Sequence, residues 1–126
     1  MTSFLRIIAA LVFVVLMVLL LGPALALEAQ RPGIDKVAHF GAFGLMLWSF
    51  GVLFPRVSRV RLAAVAMGIG ISTEIIQGLT GRDAEVLDAV ADGLGILTAL
   101  LAWSVWRGFR PRRSLSHIRS NLVIRK

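Results

Sequence analysis

The side chains able to do chemistry fall in three short stretches: Asp35-Lys36-Val37-Ala38-His39, Ser72-Thr73-Glu74-Ile75-Ile76-Gln77, and the segment from Arg82 through Asp88 to Asp92. If these stretches are helical, Asp35 and His39, Glu74 and Gln77, and Asp88 and Asp92 each share one face of their helix. Carboxylates beside an imidazole are the equipment of general acid–base chemistry, with His39 and Glu74 as the candidates for moving a proton. Lys36 and Arg82 add cationic groups suited to a phosphate or carboxylate. A divalent ion on His39, Glu74, Asp88 and Asp92 is a variant, but no H-x-x-x-H or E-x-x-H spacing supports it, so no metal and no cofactor are expected.

The position of these residues is as informative as their types. Glu74 closes an apolar run that begins at Leu62, and Asp88 and Asp92 open another that continues to Trp106. An ionisable side chain at the middle of a bilayer costs on the order of 2.5–3.5 kcal/mol even on the lenient insertion scale, so a functional role is the default hypothesis for such groups. Glu74 is the strongest case. The bland alternatives are a helix-start acid for Asp35 and Asp88, a packing histidine for His39, an interhelical hydrogen bond for Gln77 and a surface charge for Arg82.

Composition identifies the solvent. With 126 residues, 57% hydrophobic, 17% charged and a mean hydropathy of +0.82, the chain is too apolar for an ordinary soluble domain and is expected to be a membrane protein. It has no cysteine, which excludes disulfides and thiolate metal sites. A net charge of +7 raises the question of nucleic acid, but the basic residues lie between and after the apolar runs, with no polar domain to present them to a duplex.

Four apolar spans follow in order, at about 6–27, 37–54, 62–79 and 86–106, each close to the roughly 20 residues that cross the hydrocarbon core. Four spans are too few strands for a closed barrel, and the pattern does not alternate. The expected fold is all-α: an antiparallel four-helix transmembrane bundle over residues 1–106, followed by a basic cytoplasmic tail, 107–126. The first span has a competing reading as a secretory signal, with Arg6, a core from Ile7 to Leu21, a Gly22-Pro23 break and the small-x-small triplet Ala24-Leu25-Ala26. Against cleavage, the apolar stretch continues to Leu27.

Lysine and arginine set the topology. Eleven of the fourteen lie before span 1, between spans 2 and 3, or after span 4, which places both termini in the cytoplasm. Trp103 and Trp106 then fall at the inner interface. All seven acids lie in the other loops or in the adjoining halves of the helices, so the polar chemistry is expected on the extracytoplasmic side. By the rise of an α-helix, His39, Glu74 and Asp92 sit about 6–10 Å below that boundary, on one shelf. They converge if spans 2, 3 and 4 pack together. Small residues at four-residue spacing offer the surfaces for that packing: Ala38 and Ala42, then Ala64, Gly68 and Ser72, then Ala91, Gly95 and Ala99.

Asp35-Lys36-Val37-Ala38-His39-Phe40, Glu74-Ile75-Ile76-Gln77, Arg82, and Asp88 followed by Asp92-Gly93-Leu94-Gly95 resemble, in this order, the signature of the VanZ-like family, small bacterial membrane proteins named after a teicoplanin-resistance determinant. The resemblance covers roughly residues 35–100. One position departs from it: the family usually carries Asn just before the glycine of the last motif, where this chain has Asp92. The resemblance implies a protein of the bacterial plasma (inner) membrane, with glycopeptide resistance in some members and no settled enzymatic activity.

Three functions remain open. The first is an extracytoplasmic binding or shielding module, with a pocket of Asp35, Lys36, His39, Glu74, Gln77, Arg82, Asp88 and Asp92 that takes the head group of a lipid-linked cell-envelope molecule or an amphiphilic antibiotic such as a glycopeptide. The second is a membrane-embedded enzyme, with His39 and a carboxylate as acid and base, acting on a phosphorylated or carboxylated lipid. The third is proton-coupled transport, which four helices without an inverted repeat can support only as an oligomer. The tail, with Leu115, Ile118 and Leu122 at helical spacing among basic residues, suits an anionic inner leaflet.

Overall fold

The computed structural model describes residues 3–22, 33–80 and 85–109, and these form four helices with no strand among them. They are α1 (Ser3–Leu21), α2 (Ile34–Leu53), α3 (Arg59–Leu79) and α4 (Val86–Phe109). Arg82, the expected signal-cleavage triplet and the basic tail from residue 110 lie outside the described residues. All four helices are long and apolar enough to cross a membrane, which makes this a multi-pass membrane protein by length and composition.

Local chemistry sets the helix ends. Gly33, at φ 91°, occupies the left-handed region that a side chain disfavours, and α2 starts immediately after it, three residues earlier than hydropathy indicated. Asp35 then falls in the first turn, where the exposed N–H groups of the helix favour a carboxylate. Ser58 caps α3, its hydroxyl accepting from the Arg61 backbone N–H at 3.4 Å. Polar residues inside the helices satisfy themselves within one turn: Ser72 donates to the Gly68 carbonyl at 2.8 Å and Thr73 to the Gly70 carbonyl at 2.7 Å.

The distribution of side chains is inverted relative to a water-soluble domain. His39, Ser49, Thr73, Gln77, Asp88 and Asp92 are buried, while Leu79, Val86, Val18, Leu45 and Leu101 are exposed. In water such an apolar surface is an aggregation liability; in lipid it is the solvated face. The interior holds Phe43, Met46, Leu47, Phe50, Leu62, Ala66 and Ile96, contributed by α2, α3 and α4, with Leu16 and Leu20 closing one side from α1.

The most extensive interface joins α2 to α4, with α1 lying against α2 and α3 against α4. Gly95 makes the first of these possible. A Cβ there would stand 2.1 Å from the Phe40 carbonyl oxygen and 3.2 Å from the Gly44 nitrogen, so the two backbones touch where neither carries a side chain. Ala91 and Gly95 are buried as the small-residue pattern of span 4 anticipates, but on α2 the contact residue is Gly44, and Ala38 is exposed. The expectation for span 3 is overturned: Ala64, Gly68 and Ser72 all face outward, and the packed face of α3 is Ala63, Ala66, Gly70, Thr73 and Gln77. Both faces carry small residues, and the inward one also carries the polar groups that need shelter from lipid.

Contacts at the two ends fix the antiparallel order. Gln77, near the end of α3, donates to the Leu20 carbonyl near the end of α1 at 2.6 Å, while Lys36 at the start of α2 meets Glu85 just before α4. At the opposite end the Arg59 guanidinium lies 3.9 Å from the centre of a Trp103 ring, and its side chain fills the space left by the missing Cβ of Gly51.

Candidate functional site

The polar residues of α2, α3 and α4 gather at one end of the bundle, in two layers. The upper layer is centred on Lys36. Its ammonium lies 2.9 Å from Asp35 Oδ2, 2.7 Å from Glu85 Oε2 and 3.4 Å from Asp88 Oδ1. This layer is a rim: the side chains of Lys36 and Asp35 are each 29% exposed and that of Glu85 48%. A lysine held by three carboxylates has little capacity left for an external phosphate, and this weakens the anion-holding role that the sequence offered for it. Glu85 is the rim residue that sequence reasoning left out; it is 49 positions from Lys36, and a helix-flanking acid carries no local signal of such a partner.

One helical turn deeper lies the second layer. His39 donates from Nδ1 to Asp92 Oδ1 at 2.9 Å, and the same nitrogen is 3.8 Å from Glu74 Oε1. With Asp92 ionised, its carboxylate only accepts, and the proton of the pair sits on Nδ1. Asp92 is fully buried, and Glu74 is 12% exposed at its side chain. The local reason for this packing is again a glycine. A Cβ on Gly70 would sit 2.7 Å from Asp92 Oδ2 and 3.2 Å from the Phe43 ring, so the bare backbone of α3 leaves room for the carboxylate of α4. Phe43 lies one turn below His39 on α2, its ring stacked with the imidazole at 6.4 Å between centroids and 12° between planes, and it forms the apolar floor.

Burial leaves one carboxylate oxygen of this layer without a donor. Asp92 Oδ2 is inaccessible to solvent and has no hydrogen-bond donor among the described residues. A buried acceptor in that state typically costs about 1–3 kcal/mol, more when charged. Among the described residues at this end of the bundle, Asp35, Glu74, Glu85, Asp88 and Asp92 are the carboxylates and Lys36 is the ammonium. Glu74, Asp88 and His39 each present a ligand atom within 4.8 Å of the others, and Asp35, Glu85 and Asp88 form a second such group around Lys36.

Two apolar grooves reach this core from the sides. One, of about 300 Å³, runs between α1 and α2, lined by Leu16, Leu19, Val37 and Leu45, with His39 and Gln77 as its polar residues. The other, of about 400 Å³, runs between α3 and α4, lined by Ile71, Ile75, Leu79 and Val86, with Glu74 and Glu85 as its polar residues. Gln77 therefore has two positions at once. It closes the carbonyl end of α1 by its bond to Leu20, and it borders the first groove.

Of the eight residues singled out in the sequence, Asp35, Lys36, Asp88, His39, Glu74 and Asp92 come together in these two layers. Gln77 stands beside them, and Arg82 lies outside the described residues. The fold and site thus define a class, a polytopic helical membrane protein with a buried acid–imidazole core. No family model, characterised protein or solved structure matches the chain.

Proposed function

We propose that this chain is a VanZ-like protein of the bacterial plasma membrane, with both termini cytoplasmic, whose polar core on the extracytoplasmic side binds or shields the head group of an amphiphile. The ligand class is a lipid-linked cell-envelope molecule or an amphiphilic antibiotic of the glycopeptide kind. The observation that carries this reading is the pairing of apolar grooves with polar floors: each groove is lined by aliphatic side chains suited to an acyl or prenyl chain, and each ends at residues of the charged core. An amphiphile has that same division between chain and head group. The VanZ-like motif order and the bias of basic residues away from the site support the family and the orientation.

Expression in a glycopeptide-susceptible host tests it. The wild-type chain is expected to raise the minimum inhibitory concentration of teicoplanin, and Glu74→Gln, checked for equal membrane abundance, is expected to abolish the increase. An undiminished phenotype in that variant rules the reading out. The His39–Asp92 pair favours a second reading, a membrane-embedded enzyme with His39 as general base oriented by Asp92. Turnover of a polyprenyl phosphate or a peptidoglycan precursor by purified protein, lost in His39→Gln, distinguishes it from binding alone.

A further inference from the structure

We propose that the end of the bundle opposite the polar core carries a notch for the phosphate of an anionic phospholipid, built on Arg59. Arg59 opens α3 and reaches the ends of both α2 and α4. Its guanidinium lies 3.9 Å from the centre of a Trp103 ring, and its Nη1 takes the place that a Cβ on Gly51 would occupy. An indole from α4 and bare backbone from α2 thus fix where this charge sits. Stacking uses the face of a guanidinium and leaves its N–H donors at the edge, and among the described residues no acceptor meets them.

The second, independent observation is that the chain has no carboxylate side chain for this end. No Asp or Glu occurs between Asp35 and Glu74 or after Asp92, which covers the turn from α2 to α3 and the whole of α4 beyond its second turn. Arg56, Arg61 and Arg107 belong to the same end and are exposed, so water can screen them. Arg59 is the half-buried one, and a guanidinium withdrawn from water needs an anion. A phosphate offers two oxygens to the edge of a guanidinium, a match that a lone chloride does not make.

The surroundings select a lipid as the source of that phosphate. Phe54, Val60 and Trp106 are exposed apolar side chains at this end, and Trp103 is 38% exposed beside the guanidinium. Indole rings and arginines with aliphatic stems suit the level at which phospholipid phosphates lie, with acyl chains covering the apolar groups below. In the proposed orientation this end meets the anionic inner leaflet. The notch shares no residue with the head-group pocket, so either reading can fail without the other.

The test uses the full chain in micelles of a neutral detergent, titrated with dioleoylphosphatidylglycerol, dioleoylphosphatidylcholine or inorganic phosphate. Binding is read by native mass spectrometry and by the unfolding temperature. Expected are saturable, preferential retention of phosphatidylglycerol and a raised unfolding temperature with that lipid alone. Arg59→Gln should weaken phosphatidylglycerol binding about tenfold, the loss of one charge-assisted contact, whereas Arg61→Gln should weaken it less than about threefold. Gly51→Ala keeps every charge and displaces only the far end of the Arg59 side chain, so it should retain the helical circular dichroism while weakening the same binding. Phosphatidylglycerol held no more tightly than phosphatidylcholine overturns the proposal, as does wild-type binding in either Arg59→Gln or Gly51→Ala. Equal losses in Arg59→Gln and Arg61→Gln would replace the notch with a diffuse basic surface, and stabilisation by inorganic phosphate equal to that by the lipid would refute the lipid as the ligand.

Discussion

The Lys36 rim and the His39–Asp92 layer lie one helical turn apart and accommodate carboxylates in opposite ways. In the rim, one flexible ammonium serves Asp35, Glu85 and Asp88, and all of its partners but Asp88 retain access to the surroundings. In the deep layer, a rigid imidazole serves Asp92 where the surroundings have no access, with a glycine on α3 shaped around the carboxylate. The difference separates an accessible cluster of ion pairs from a buried, sterically fitted pair. Exposed ion pairs contribute little and tolerate rearrangement, whereas breaking a buried pair leaves an uncompensated charge.

His39→Ala should therefore have the largest effect on stability. It strands the Asp92 carboxylate and is expected to destabilise by about 3–5 kcal/mol, measured by denaturant titration in micelles. The double variant His39→Leu, Asp92→Leu sharpens the comparison, because removing both polar partners together should restore most of that loss. If the double variant is no more stable than His39→Ala, the cost lies in packing rather than in the stranded charge.

Gly70→Val tests the backbone side of the same layer. The added methyls must displace Asp92 or Phe43, and a loss of about 1–3 kcal/mol is expected in the same assay. An equivalent substitution at Gly68, which has nothing within 4 Å of a built Cβ, should be close to neutral and serves as the control. The smallest effect belongs to the rim. Glu85→Gln removes one of three acids around a lysine and is expected to shift stability by less than about 1 kcal/mol. The shift should shrink further as salt is raised. A large, salt-insensitive loss would mean that the rim is held as rigidly as the layer beneath it.

Much of this arrangement is legible in the sequence. Hydropathy is a local property, so the four helices and their approximate limits follow from runs of apolar residues. The alignment of His39, Glu74 and Asp92 at one depth follows from counting 1.5 Å per residue from each helix end. The grouping of residues on one face of a helix, such as Asp88 with Asp92, is likewise fixed by the backbone period. Metal-ligand spacing is silent for a physical reason: a spacing motif joins donors on one helix, and here the three candidates come from three.

The order of amino acids alone is enough to set the helices, their alternating direction and the level of each ionisable side chain along its helix. Rotation about the helix axes is settled only in three dimensions. The α3 sequence carries small residues on two faces, and nothing local chooses between Ala64, Gly68 and Ser72 on one and Ala63, Ala66 and Gly70 on the other. The choice falls to the face whose bare glycine admits the Asp92 carboxylate and whose Gln77 reaches the end of α1. In lipid the apolar side chains gain nothing by turning inward, so helix orientation is set by close packing and by the shelter of polar groups, both of which depend on partners far away in the chain.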